Sequence, residues 1–207
     1  MKNFLAIATL ALCANAASAQ DAGDISAGVG FSSLGGNLEA AYRIDPSFGV
    51  RGVFIGGIDE SYEETDDEGT FAGSIELGGL AIMGDYYPNQ GDWRISGGLL
   101  FSNNEIKASG EVELEDGGTP EAELSVKFEN EIAPMITTGY EWGFADGWTL
   151  TPEAGLILTG GLALDYTATA SGAQDAIDDD PDVQDAKSDA EDIVVLPYLA
   201  FTVSYQF

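Results

Sequence analysis

An all-β chain, folded as an eight-stranded antiparallel transmembrane up-and-down β-barrel, is the fold class that this 207-residue sequence predicts. Three observations predict it. Apolar residues alternate with small or polar ones at a period of two over most of the chain, as strands with two unlike faces do. Short turns alternate with long polar segments, the asymmetry of barrels with short turns at one membrane surface and long loops at the other. No stretch after Ala19 approaches the roughly 18 apolar residues of a membrane helix.

A targeting segment comes first. Lys2 supplies a positive start, Phe4 to Ala14 is uncharged, and Ala17-Ser18-Ala19 is an A-x-A cleavage site, the three parts of a secretory signal peptide. Residues 1–19 are therefore read as signal and 20–207 as the barrel domain. Leu12 rather than a small residue precedes Cys13, which argues against lipidation. Cleavage after Ala19 removes the only Cys, and with it disulfide and thiol chemistry.

The strands follow in order at 24–34, 36–45, 48–58, 71–87, 93–104, 128–142, 148–166 and 193–207. Asp45-Pro46-Ser47 is a short turn between the second and third, and Asp59 to Thr70 is a long polar segment. In the fourth strand Ile75 and Leu77 are odd while Leu80 and Ile82 are even, with Gly78-Gly79 between them. This slip of phase predicts a bulge, and a similar slip falls near Ser102 to Asn104. Pro88 to Asp92 turns the chain into the fifth strand. The segment from Glu105 to Glu131 keeps alternating, with Val112, Leu114, Ala122, Leu124 and Val126 on one side and Asp116-Gly117-Gly118-Thr119-Pro120 as a turn. It predicts a hairpin of strands five and six projecting from the surface. Ile132, Pro134, Ile136, Tyr140 and Trp142 mark the sixth strand. After a turn at Gly143 to Gly147, Trp148, Leu150, Pro152, Ala154, Leu156 and Leu158 mark the seventh. A polar run from Thr167 to Asp192 leads into the last.

The apolar face is assigned to lipid. The opposite face, rich in Gly, Ser, Thr and Ala, is assigned to a narrow lumen. A soluble barrel shows the same alternation, so the turn asymmetry and the aromatic residues decide. Trp93, Trp142, Trp148, Tyr86 and Tyr140 all lie beside short turns, joined by Tyr87, Phe144, Tyr205 and Phe207, and are read as a periplasmic aromatic girdle.

Charge divides into two sets. Alternation points Arg43, Arg51 and Arg94 into the lumen, together with Asp85, Glu141, Glu153 and Glu39. Opposite charges in so narrow a space need partners, so these residues are read as a lumen charge network. It is either a structural plug or a gate on the periplasmic side. The outer loops hold 26 of the 36 acidic residues and only Lys107, Lys127 and Lys187 as cations. That crown is either simply solvated or concentrates cations. Asp178, Asp179, Asp180 and Asp182 form a possible cation-attracting loop, but lack the Gly and closing Glu of a calcium loop. No metal site and no cofactor are expected. The net charge of −29 excludes a duplex-DNA binder, and the absence of His argues against an enzyme.

The signal peptide, the eight strands and a terminal Phe207 alternating with Tyr205, Val203 and Phe201 resemble Gram-negative outer-membrane barrels. The resemblance implies that this terminal pattern is the assembly signal. The stretch Gly84-Asp85-Tyr86-Tyr87-Pro88 followed by Trp93-Arg94-Ile95-Ser96-Gly97-Gly98-Leu99 resembles a D-Y-x-P…F-R-L-S-G-G-L signature. That signature belongs to small OmpA/OmpW-like barrels related to the ornithine-uptake, carbapenem-susceptibility-associated outer-membrane proteins. Trp93 stands where the signature has Phe. The resemblance implies an outer-membrane location, a monomer among lipid and lipopolysaccharide, contact with the barrel-assembly machinery, and slow passage of small, cationic solutes. A surface adhesion barrel using the projecting hairpin, and a purely structural barrel, are the alternatives.

Overall fold

The computed structural model describes residues 23–66, 69–111, 121–168, 174 and 181–207. The signal segment, the tip of the predicted projecting hairpin, and Asp178 to Asp180 lie outside the described residues. Twelve strands are described: β1 (Ile25–Ser32), β2 (Gly35–Asp45), β3 (Phe48–Asp66), β4 (Gly69–Tyr86), β5 (Trp93–Ser102), β6 (Glu105–Glu111), β7 (Glu121–Phe128), β8 (Ile132–Tyr140), β9 (Trp142–Ala145), β10 (Trp148–Leu158), β11 (Leu162–Ala168) and β12 (Val195–Gln206). A helix, α1 (Pro181–Glu191), precedes the last strand, with Asp182 in its first turn, where the helix dipole favours a negative charge.

Eight of the strands close a barrel. Antiparallel pairing runs β1–β2–β3–β4–β5–β8–β10–β12 and back to β1. Closure brings the chain ends together: Phe207 N–H donates to the Ile25 carbonyl at 2.9 Å, and Gln206 N–H to that of Gly147 at 2.8 Å. At the turn between β2 and β3, the Asp45 carboxylate accepts N–H bonds from Ser47 (2.7 Å) and Phe48 (3.0 Å), an Asx turn around Pro46.

The outer wall of the barrel is apolar and exposed. Val29, Phe31, Leu38, Val50, Phe54, Leu80, Ile82, Leu99, Ile136, Leu156 and Leu199 all point outward. In water such a belt would be far larger than the apolar patches soluble proteins tolerate. Trp93, Trp142, Trp148, Tyr86 and Tyr140 are likewise exposed on the outside at the short-turn end. Trp93 Nε1 donates to Thr138 Oγ1 at 2.8 Å, so its polar edge is occupied while its rings face outward.

The strands do not stop at the rim. β3, β4, β6, β7 and β11 continue as a five-stranded sheet above one side of the barrel. Residues 59–66, read as a polar loop, are strand: they pair with β4 without interruption from Asp59–Glu76 to Asp66–Gly69. The projecting hairpin of β6 and β7 is present, but it is not free-standing: β4 flanks it on one side and β11 on the other.

The phase slip in β4 has a different cause from the predicted bulge. β4 runs through Gly78-Gly79 in one register, pairing Gly79 with Ser102 and Glu76 with Glu105. The extra residue lies across the ladder on β3, between Ile55 and Ile58, where Gly57 has φ +88°, a conformation that favours glycine. In β4 itself the apolar residues change sides. Leu80 and Ile82 point out of the barrel, whereas Leu77 and Ile75 have the parity of the inward Ala81 and Met83. β5 and β6 do the same: Leu99 and Phe101 point out, and Ile106 has the parity of the inward Leu100. Apolar side chains suit a lipid-facing outer wall; above it the exchange of faces is partial, since Leu77 is half-buried while Ile75 and Ile106 stay exposed. On the water-facing side of the extension Glu105 accepts from Lys127 (3.2 Å), Lys107 (3.3 Å) and Ser125 (3.1 Å). Desolvation opposes ionisation of this carboxyl, but these bonds outweigh it and hold Glu105 below the usual carboxylate range.

Candidate functional site: the barrel lumen

Each lumen-facing side chain is placed by strand parity, and the parity carries a gradient. Ascending from the short turns, β3 presents Arg51, then Val53 and Ile55. β4 presents Asp85, then Met83 and Ala81; β8 presents Thr137, then Met135 and Ala133; β10 presents Glu153, then Ile157. All of these side chains are buried. The lumen is therefore polar and charged in its lower half and mainly apolar in its upper half, where Asn37, opposite Ile55, is a buried exception that donates to Thr202 Oγ1 at 3.1 Å.

Arg51 is the hub of the lower half. Its Nη1 lies 2.9 Å from Glu39 and 2.8 Å from Glu153, and its Nη2 lies 3.0 Å from the other Glu153 oxygen, a bidentate pair. The same Nη2 reaches Asp85 at 3.3 Å. Arg94 shares Glu153 at 2.7 Å and holds Glu141 at 2.7 Å. Ser96 Oγ donates to Asp85 at 2.5 Å and Thr137 Oγ1 to Glu153 at 2.5 Å. Removing a charge from water is costly, and only several well-made partners offset it. Here Glu153 answers two guanidiniums at once.

The alternation named seven charged residues, and the structure brings Glu39, Arg51, Asp85, Arg94, Glu141 and Glu153 into one connected cluster. Arg43 stands apart. It is 2% exposed, stacks with its guanidinium carbon 3.2 Å from the Tyr87 ring centroid, and leaves Nε and Nη1 without a hydrogen bond among the described residues. Tyr87 links it to the cluster, because its hydroxyl donates to Glu141 at 2.8 Å.

Alternation puts Thr137 on the lumen face beside Glu141 but gives it no partner, and it leaves Ser96 unremarked; Tyr87, counted with the aromatic residues beside short turns, is instead 3% exposed and faces the lumen. Sequence reasoning missed the upper layer. Ile55, Met83, Leu100 and Ile157 are 2% exposed or less and pack with Val53, Met135, Tyr198 and Ala200 into one cluster across the lumen. The signal was present as runs in which alternation fails: Val53-Phe54-Ile55, Leu99-Leu100-Phe101 and Leu156-Ile157-Leu158. A strand that is apolar on both faces reads as a continuous run. Space for the layer comes from glycine. A Cβ on Gly98 would meet the Met83 sulfur at 2.6 Å and the Ile82 carbonyl oxygen.

Among the described residues no group of three or more His, Cys, Asp or Glu is arranged to hold a metal ion. Phe201, Val203, Tyr205 and Phe207 lie along β12, with Tyr205 packed between Trp148 (5.1 Å) and Phe207 (5.3 Å) at the short-turn end.

No family model and no curated protein sequence matches the chain. Solved structures similar to it include two outer-membrane proteins from one organism. Acinetobacter baumannii CarO superposes with a TM-score of 0.62 at 15% identity, over 89% of this chain and 98% of that one. Acinetobacter baumannii CarO2 does so with a TM-score of 0.59 at 15% identity, over 89% and 98%. At this identity the likeness is one of fold, a closed eight-stranded barrel.

Proposed function

We propose that this chain is a Gram-negative outer-membrane barrel that is closed at rest, a pore-like structural protein rather than an open passive pore. One observation carries the reading: the lumen is filled at two levels, by the Arg51–Glu153–Arg94 cluster and by the Ile55–Met83–Leu100–Ile157 layer above it. Eight strands leave an interior just wide enough for side chains, and an apolar constriction resists hydration as well as ions. The apolar outer wall, the aromatic residues at the short-turn end and the fold shared with CarO support membrane insertion.

In this reading the segment ending at Ala19 directs export, and the Phe207 strand is what the assembly machinery recognises. Lipid and lipopolysaccharide surround a monomer. Small solutes pass only when both levels rearrange, and the acidic exterior favours cations among them. Purified protein in planar bilayers tests this directly. Long closed baselines are expected, and steady conductance in the wild type overturns the reading.

A surface-interaction role is favoured by a separate observation. Tyr62, Phe71, Ile75 and Ile106 are exposed on the extension. Any edge pairing would use β3 or β11, since β6 and β7 have neighbours on both sides. The β11 edge is itself occupied in part, with Gln174 accepting from Ala168 N–H (2.8 Å) and donating to the Tyr166 carbonyl (3.2 Å). Deleting residues 108–126 separates the roles: lost binding with unchanged flux supports interaction, and the reverse supports transport.

A further inference from the structure

Above the apolar lumen layer, where the barrel passes into the extension, lies a cavity of about 160 Å³. Leu34, Leu77, Val126, Phe128, Leu162 and Leu196 line it. These residues come from the first hairpin turn, from three strands of the extension and from the last strand, so closing the barrel builds the cavity. Asn104 lines it as well and is 7% exposed. Its Oδ1 accepts the Gly78 N–H at 2.7 Å, which fixes the amide orientation. Its Nδ2 is then buried with no hydrogen bond among the described residues. A buried donor without an acceptor is costly and calls for an explanation.

We infer that this cavity binds a small, neutral, mainly apolar molecule of about benzene size that carries one hydrogen-bond acceptor, a carbonyl, ether or hydroxyl oxygen, for Asn104 Nδ2. The size follows from the volume: a cavity of about 150 Å³ lined by aliphatic and aromatic side chains takes up benzene. The acceptor follows from Asn104. A water molecule fits poorly, because it needs 2–4 polar partners in such a place and, apart from Asn104, the lining offers only Glu105 and Lys127, which already pair with each other. The end of an acyl chain would fill the walls and leave Asn104 unanswered. Neutrality follows from the rim, where Lys127 and Glu105 already pair at 3.2 Å. Leu34 belongs to the apolar cluster of the lumen and Phe128 packs against it, so the cavity adjoins that layer; the inference concerns binding and holds whether or not the barrel conducts.

The test uses the mature protein in lipid nanodiscs with ¹⁵N-labelled asparagine. The Asn104 side-chain amide signals are assigned by their loss in Asn104→Asp, which keeps an acceptor for Gly78. Cyclohexanone is the probe, and cyclohexane is the control of similar size without an acceptor. Cyclohexanone is expected to shift the Asn104 amide protons saturably and cyclohexane is not. Filling the cavity with Leu162→Phe, or with Val126→Ile should that variant not fold, is expected to weaken the cyclohexanone response at least tenfold while heat-modifiable migration is kept. A shift that never saturates, an equal response to cyclohexane, or a response untouched by a folded filling variant means partition into the bilayer only and overturns the inference.

Discussion

Glu153 carries more of the lumen than any other side chain, because two buried guanidiniums depend on it. Glu153→Gln keeps the shape and removes the acceptor that both guanidiniums share, while Arg51 keeps Glu39 and Asp85 and Arg94 keeps Glu141. What is lost is hydrogen bonding to a charged group, about 1.5–3 kcal/mol, and urea unfolding in lipid vesicles should show a loss of that order, below the roughly 3–5 kcal/mol of a buried charge left with no partner. The exposed Glu60 is the control, with a change within about 0.5 kcal/mol. Tyr87 separates two contributions. Tyr87→Phe keeps the ring under Arg43 and drops the bond to the Glu141 carboxylate, for a loss of about 1.5–3 kcal/mol. Tyr87→Leu also removes the cation–π contact and should lose more. The charged members of this cluster were legible in the sequence, because a lone Arg or Glu in an alternating strand announces its face. Thr137 was legible as to face but not as to partner, whereas Tyr87 and Ser96 were not legible, because an aromatic residue or a hydroxyl suits either face and only the closed barrel says what it meets.

At the scale of the strand, the informative feature is the exchange of faces in β4 and β5–β6. Alternation alone told where the strands lie, since lipid-facing and lumen-facing residues differ throughout the lower barrel. It did not say where the barrel leaves the membrane. A change of apolar parity looks the same whether a bulge has shifted the register or the solvent outside has changed. Pairing settles it, with the extra residue on β3 and none on β4. The consequence is testable in the extension. Leu164 has the parity of Leu162, which lines the cavity, whereas Thr167 has the opposite parity. Leu164→Asp is expected to open the extension to limited proteolysis, and Thr167→Asp to leave the digestion pattern unchanged. Equal sensitivity of the two variants would count against an inward apolar face.

The whole molecule is a barrel closed twice over, and two closures make a stronger claim than one. Arg94→Ala disturbs only the charged level, so on its own it should not open a conducting path in planar bilayers. Combined with Met83→Ser and Met135→Ser it removes bulk at both levels, and open events are expected. Those events should favour lysine over glutamate in liposome swelling, given the acidic residues outside. Equal rates would assign the crown to solvation alone. The architecture was legible in the sequence because closure, parity and turn length are local rules repeated around a ring. The second closure was not, because it arises from many moderate side chains meeting at one level. The exchange of faces also bears on how such a molecule can change over time. Inserting one residue into β4 below Gly78 would turn every side chain beyond it to the wrong surroundings. Inserting two would keep each on its face and raise the extension by about 7 Å along the strand. The height at which this protein stands above its bilayer is therefore set in steps of two residues, taken together with the strands beside it.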